Sequence, residues 1–447
     1  MYKKLIFLTF LAFVLGQDFE DLPAGHKAKK TKSYEQYEKP EVCKSCHTDI
    51  YQQWKRAMMS QSFTHHWDEI EYFELAIPHA KNDTSFKDVV DGCNGCHAPL
   101  SFLAGDLPPP RPEKGSRANE GVSCDFCHSI VGVENMDPVN YNYISSPGRI
   151  KYGSKPGLES PHHITKYHSI YTKTELCGSC HNEKSPFGVW VKSTQIEWEN
   201  GPYSKEGVKC FDCHMPGAVG RSASMAPIDT VAQHTFLGAH KNAKLRGTIE
   251  LSMHCLETEI PYDGTAIIQV ELFNAKAGHK VPTGSVEDRI MWLHVEATDS
   301  EGKTYHLKVD KKGFEGEEYT IASDELAYKD FAIALNLDDF EGLPRDGVPV
   351  GDRIFRMPYF DENGVMTIMQ WNTHSLGVDY RIGPRETKIE TYSWVMPRDI
   401  AFGDVEVTAT LNYKKLVEPV AEYLDVPKDE SETVIINKVS ADFLVYE

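Results

Sequence analysis

Cys43-Lys-Ser-Cys46-His47-Thr-Asp-Ile-Tyr-Gln-Gln-Trp54 sets two cysteines three residues apart and a histidine directly after the second. Four further stretches repeat the arrangement: Cys93-Asn-Gly-Cys96-His97, Cys124-Asp-Phe-Cys127-His128, Cys177-Gly-Ser-Cys180-His181 and Cys210-Phe-Asp-Cys213-His214. Residues i and i+3 share one side of a helical turn, so the two thiols point the same way. Two such thiols can add across the vinyl groups of a haem to give thioethers. The imidazole beside them then reaches the iron as proximal ligand.

Zinc sites and redox dithiols also use Cys-x-x-Cys pairs. Neither needs a histidine after every second cysteine, yet all five motifs have one. At 11 Cys and 19 His in 447 residues, chance would yield only about 0.01 such motifs. Ten of the eleven cysteines are consumed in this way. The reading is therefore five covalent haems c, held by Cys43, Cys46, Cys93, Cys96, Cys124, Cys127, Cys177, Cys180, Cys210 and Cys213. His47, His97, His128, His181 and His214 serve as proximal ligands. The eleventh cysteine, Cys255, falls in an expected strand and reads as a buried free thiol.

Working outward, composition divides the chain in two. The motif-bearing half is punctuated by loop signals at Leu107-Pro-Pro-Pro-Arg-Pro112, Ser146-Pro-Gly148 and Lys155-Pro-Gly157. It lacks regular strand alternation. Short helices joined by long loops are expected, with helices over Asp49–Met59 and Trp67–Ile77. From about Arg246 the pattern changes to alternating apolar and polar residues rich in Val, Ile, Thr, Tyr and Trp. Strands are expected over 247–257, 265–273, 289–298, 304–309, 388–395 and 405–412, and long loops over 338–382. That is the signature of an antiparallel β-sandwich. The expected fold class is α+β multidomain: a haem-packed, mostly short-helix and loop domain (17–245) followed by an antiparallel β-sandwich (246–447).

Lys3, Lys4 and the apolar run Leu5–Leu15, followed by Gly16, read as a signal peptide over residues 1–16. The run is too short to cross a bilayer comfortably, and no later segment is long and apolar enough to do so. The mature chain is expected to lack a transmembrane span and to be periplasmic or extracellular. A formal net charge of −19 argues against nucleic acid as a partner, since phosphate binding needs a basic surface. It favours a redox partner protein that presents a positive patch.

The sixth position of each iron decides function. A second protein ligand closes the haem for electron transfer, whereas an open position admits substrate. Fourteen histidines (19 less the five in motifs) lie outside the motifs, more than five irons require. His162 and His163 sit in a proline-flanked loop before the fourth motif. His234 and His240 follow the last motif, and His279 occupies the turn Gly278-His-Lys-Val-Pro-Thr-Gly284. These five are the distal-ligand candidates. His65 and His66 stand at a polar helix start and rank lower. His294, His306 and His374 read as ordinary β-domain residues. Met59, in Trp54-Lys-Arg-Ala-Met-Met-Ser60, offers a thioether that would raise the haem potential. Met58 and Met59 could equally pack against porphyrin.

Several of these stretches together resemble a family of multihaem c-type cytochromes that includes small tetrahaem electron carriers of nitrogen metabolism. Cys43 to Trp54 is similar to the family's opening motif, and Gly121-Val-Ser-Cys-Asp-Phe-Cys-His128 to its middle one. Glu197-Trp-Glu-Asn-Gly-Pro-Tyr203 with Cys210-Phe-Asp-Cys-His-Met-Pro216 is similar to its closing motif. His279-Lys-Val-Pro-Thr-Gly284 resembles a segment that opens the C-terminal β-domain of larger members. The resemblance covers most of residues 40 to 300. It implies electron transfer for most members and reduction of small nitrogen or sulfur oxyanions for some. Met59 stands where the family often places a haem-ligating histidine. The resemblance therefore implies either a methionine ligand or an open iron there. No Cys-x-x-Cys-Lys motif is present, so a lysine-ligated catalytic haem is not supported.

The expectation is a pentahaem electron carrier exchanging electrons with periplasmic or membrane-bound partners. The alternatives are a reductase with one open haem and a subunit of an extracellular cytochrome assembly. The latter would be an oligomer joined through edge strands of the β-domain.

Overall fold

The computed structural model describes residues 29–134, 137–312 and 326–447. The expected signal peptide lies outside them. The first half is built from short helices whose limits follow local sequence. Pro40–Lys44 opens with a proline in its first turn, where the missing N–H costs nothing. Thr48–Lys55 buries Tyr51 and Trp54, and the Trp54 indole donates to the Val122 carbonyl at 2.9 Å. His66–Glu71 runs on through a π-helical turn, Tyr72–Ala76, into Ile77–Asn82. This is longer than the expected 67–77 helix, because a proline at the start of a helical segment continues one already begun. The expected 49–59 helix instead breaks at Ala57, whose extended backbone caps Met58–Gln61.

The motif half also contains four two-stranded ribbons that the sequence pattern does not reveal. They pair Ile130–Val133 with Tyr143–Ser145, Ile150–Gly153 with Ile164–Tyr167, Asn182–Lys184 with Trp190–Ser193, and Gly217–Arg221 with Ile228–Ala232. Strands of three to five residues are too short to show an alternation.

The second half is a β-sandwich. One sheet orders Glu259–Pro261, Val434–Tyr446, Gly403–Lys414, Ile290–Thr298 and Thr304–Leu307, with Arg353–Phe355 also paired to Ile290–Thr298. The facing sheet orders Thr387–Val395, Thr265–Asn274 and Ile249–Cys255. Pairing is antiparallel except where Glu259–Pro261 meets Val434–Tyr446. Alternate residues of both sheets fill the core: Ile268, Val270 and Leu272 against Leu293, Val295 and Val407, all fully buried. Side chains so buried each contribute about 1.5–3 kcal/mol. The six expected strands all form. The longest, Val434–Tyr446, was not among the expected ones, since Asn437-Lys438 interrupts its apolar run. Residues 338–382 are loops with brief pairings, such as Tyr359–Phe360 with Met366–Thr367 and Ser375–Leu376.

The two halves share apolar contacts. Trp67 and Leu75 of the helical segment pack in one cluster with Trp292, Phe331, Met369 and Leu416. The β half thereby forms one wall of the space between the helices.

Candidate haem site

Each cysteine motif lies on a single helical turn. His47 and His128 donate their backbone N–H to the carbonyls of Cys43 and Cys124, both at 2.9 Å. Motifs two, four and five lie within the helices Lys87–His97, Glu175–His181 and Cys210–His214. In every case the turn aligns the two sulfurs and sets the imidazole beside them.

The motifs cluster in space. The Cys43 thiol lies close to Cys124, and that of Cys177 close to Cys210. The Cys96 sulfur lies 4.0 Å from the Cys180 carbonyl. Motif one thus adjoins three, two adjoins four, and four adjoins five. Motifs two to five line a single connected cavity of about 2070 Å³. Ordinary ligand pockets measure about 300–1,000 Å³, so this space suits several large planar groups rather than one substrate. Its walls are mainly apolar, with Trp54, Phe63, Tyr141, Phe211 and Trp371 among them.

The motif imidazoles are oriented alike. His97, His128 and His214 direct Nδ1 at the carbonyls of Ser62, Tyr152 and Leu237, each at 2.7 Å, and His47 does the same to Ser222 at 2.5 Å. A carbonyl can only accept, so Nδ1 carries the proton and Nε2 is left with a free lone pair, the arrangement of a metal-bound histidine.

Three non-motif histidines face motif histidines. His163 stands 6.3 Å from His47 between ring centres, with planes 22° apart. His234 stands 6.2 Å from His128, at 31°. His279 stands 6.4 Å from His214, at 18°. Two imidazoles that bind one metal from opposite sides at about 2.0–2.1 Å hold their ring centres about 6.3 Å apart. His234 and His279 also donate Nδ1–H to carbonyls, those of Ala232 and Lys280, at 3.0 and 2.9 Å. The residues present therefore fit haems held between paired histidines.

Residues 42–129 match the family described as cytochrome c554 and c-prime. No curated protein matches the chain. Among solved structures, the penta-heme cytochrome c552 from Thermochromatium tepidum superposes with a TM-score of 0.63 at 20% identity, over 91% of this chain and 99% of that one. This chain therefore shares the fold of that penta-heme cytochrome, and its residues 42–129 match the cytochrome c554 and c-prime family. The CARDB domain of a Pyrococcus furiosus protein matches 45% of this chain and 91% of its own length at 11% identity. Its TM-score of 0.19 is too low to bear on fold or function.

The remaining expected positions fall differently. His162 points outward, with its side chain 56% exposed, and meets the Glu38 carboxylate at 3.3 Å. Adjacent residues of an extended loop point opposite ways, so only His163 turns inward. His240 lines the cavity but meets His65 edge-on, ring centres 4.9 Å apart, rather than a motif histidine. Met58 and Met59 both line the cavity, and the Met59 carbonyl accepts from Val122 N–H at 2.8 Å, beside the third motif. Among the described residues no imidazole faces His97 or His181 as the three pairs face each other.

Burial favours the neutral form of several inward histidines, the form that ligates iron. Burial, then the neighbouring His279, lowers His214 to about 4. Burial, then His128, lowers His234 to about 4, and burial, then His214, lowers His181 to about 4. His65 behaves oppositely. Burial pushes it down, but hydrogen bonds and charges from Asp68 and Glu430 outweigh this and lift it to about 9. Its ring nitrogens lie 3.2 Å from the Asp68 carboxylate and 2.9 Å from that of Glu430.

Sequence reasoning missed a buried acidic group beside the cavity. Burial, then the charges of Glu287 and Asp68, raise Glu71 to about 8. Burial raises Glu287 to about 7 and holds Asp288 well above the carboxylate range. Glu71 Oε1, both Glu287 oxygens and Asp288 Oδ1 have no hydrogen-bond partner among the described residues. Lys192 and Arg289 lie close to the same group. Glu71 and Asp288 are far apart in the chain, so no local motif could have signalled them.

Proposed function

We propose that this cytochrome is an exported pentahaem electron carrier. The three imidazole pairs carry the reading: His47 with His163, His128 with His234, and His214 with His279. Each pair would hold one haem iron between its two imidazoles, which would exclude substrate from that iron. The haems, when bound, supply one-electron redox chemistry. Five Cys pairs attach them: Cys43/Cys46, Cys93/Cys96, Cys124/Cys127, Cys177/Cys180 and Cys210/Cys213. The domain bearing them spans residues 17–245, and the β-domain, residues 246–447, contributes His279. Motif one lies beside three, two beside four, and four beside five, which would bring the five haems close together. The acidic surface suits a partner with a basic patch. Residues 1–16 direct export to the periplasm or cell surface, so protein recovered outside the cytoplasm should begin at Gln17. Among the described residues no helix is long and apolar enough to cross a membrane.

A second reading rests on His97 and His181, which have no imidazole opposite them, and on the buried acids in the same space. In this reading one iron is open and reduces a small nitrogen or sulfur compound, with Glu71 held near a pKa of about 8 as proton source. Electron paramagnetic resonance of the holoprotein, with and without cyanide or nitric oxide, separates the two. The carrier reading requires low-spin signals that exogenous ligand leaves unchanged. A high-spin haem that binds ligand establishes the open site instead. A sulfur-to-iron band lost in Met59→His would give one of the two unpaired irons a methionine ligand.

A further inference from the structure

A second group of metal-ligating side chains lies on the outer face of the β-sandwich, away from the cavity. In the Ile290–Thr298 strand, Leu293, Val295 and Ala297 are fully buried in the core. Their neighbours His294 and Glu296 therefore face outward. His306 pairs directly opposite Glu296 across the hairpin. Asp352 precedes Arg353, which pairs with Leu293, and so arrives beside His294. Cross-strand neighbours on one face stand about 4.5–5.5 Å apart at Cβ, close enough for their side chains to converge.

They do converge. His294 Nδ1 lies 3.0 Å from both Asp352 oxygens, and His306 Nε2 lies 2.7 Å from Asp352 Oδ1. The two imidazoles stack at 4.9 Å with planes 22° apart, and the three ligand atoms all fall within 4.8 Å of one another. The Asp352 side chain is 0% exposed, while those of His294 and His306 are 29% and 32% exposed. Among the described residues these two histidines are the only basic side chains within ion-pair reach of Asp352. A buried carboxylate without a fixed cation is costly. A cation bound between the three side chains would supply that charge.

We propose that His294, His306 and Asp352 form a zinc-class transition-metal site that is independent of the haems. Two imidazoles and one carboxylate are a common zinc donor set, whereas calcium and magnesium favour oxygen alone. Donor atoms of a tetrahedral zinc site stand about 3.3 Å apart, so the nitrogen–oxygen contacts of 3.0 and 2.7 Å would lengthen by about 0.3 and 0.6 Å on binding. The second nitrogen of His294, Nε2, lies 3.9 Å from Glu296 Oε2, a carboxylate placed to steady a metal-bound ring. The partly exposed histidines leave the fourth position to water.

The test uses the haem-loaded protein, stripped with a chelator, dialysed against micromolar zinc and analysed for zinc per chain with haem iron as internal standard. About one zinc per chain is expected in the wild type. The His306→Gln and Asp352→Asn variants should retain at least about tenfold less zinc, with haem spectra unchanged. Should Asp352→Asn fail to fold, the His294→Gln/His306→Gln pair, both on the surface, carries the same comparison. Equal zinc in wild type and variants, or none in the wild type, overturns the proposal.

Discussion

The imidazoles of His214 and His279 face each other at 6.4 Å with planes 18° apart, joining the last cysteine motif to a loop of the β-sandwich. In the proposed pentahaem carrier the β half would supply one side of the fifth haem position. In the holoprotein, His279→Gly should convert on the order of one-fifth of the haem from low-spin to high-spin and allow it to bind cyanide. His162→Gly should leave the spectrum unchanged, because His162 is exposed and pairs with Glu38. Electron paramagnetic resonance of both variants checks the contrast.

The loop that carries His279 is held by ion pairs. Lys280 meets Asp379 at 2.7 Å, and Arg381 meets Asp379 at 2.8 Å and Glu197 at 2.7 Å. Burial raises the Asp379 carboxyl, but Arg381 and then Lys280 outweigh it and lower it to about 2 from an ordinary 3.8. A carboxylate depressed on folding stabilises the native state above its unfolded pKa, and the benefit is lost as pH falls through the folded value. Asp379→Asn should cost about 1–2 kcal/mol at pH 6, after discount for partial exposure. The difference should shrink between pH 4 and pH 2. Denaturant midpoints of wild type and variant across that range test it.

Arg353 and Glu390 form a pair at 2.9 Å between the two sheets, each side chain 1% exposed. Arg353 also stacks on Phe355 and Tyr380, at 5.1 and 4.6 Å. Glu390→Ala leaves a buried guanidinium without its carboxylate and should destabilise the fold by about 3–5 kcal/mol. Thermal unfolding followed by far-ultraviolet circular dichroism measures the loss.

Of eleven cysteines, ten lie in the motifs, which leaves Cys255. Burial, then the charge of Asp442, raises its thiol to about 11. The mature holoprotein should show one titratable thiol in denaturant and a much slower reaction when folded. Its intact mass should exceed that of the polypeptide by five haems. More than one thiol, or a smaller mass excess, would show that one of the motifs is not loaded.

The attachment chemistry was legible because it is local. Two thiols and an imidazole within five residues need only one helical turn, and the turn forms wherever the motif occurs. The main strands were legible for a similar reason, since alternation over seven or more residues records which side of a sheet is buried. The Val434–Tyr446 strand shows no clean alternation because Ile435, Leu444 and Tyr446 place apolar side chains on its outward face. The short ribbons escaped because three or four residues carry no period.

Sequence by itself determined the number of cysteine motifs, the break between the two halves and the set of histidines from which second ligands are drawn. Only the tertiary structure decided which histidine meets which. His163 and His162 are adjacent, yet one faces His47 and the other faces solvent. His279 reaches His214 only because the β-sandwich closes on the helices. His294 and His306 read as ordinary strand residues until Asp352 folds in beside them. The physical reason is common to all three. A turn is fixed by bonds between near neighbours, whereas a ligand pair depends on how distant segments pack, and no local periodicity records that.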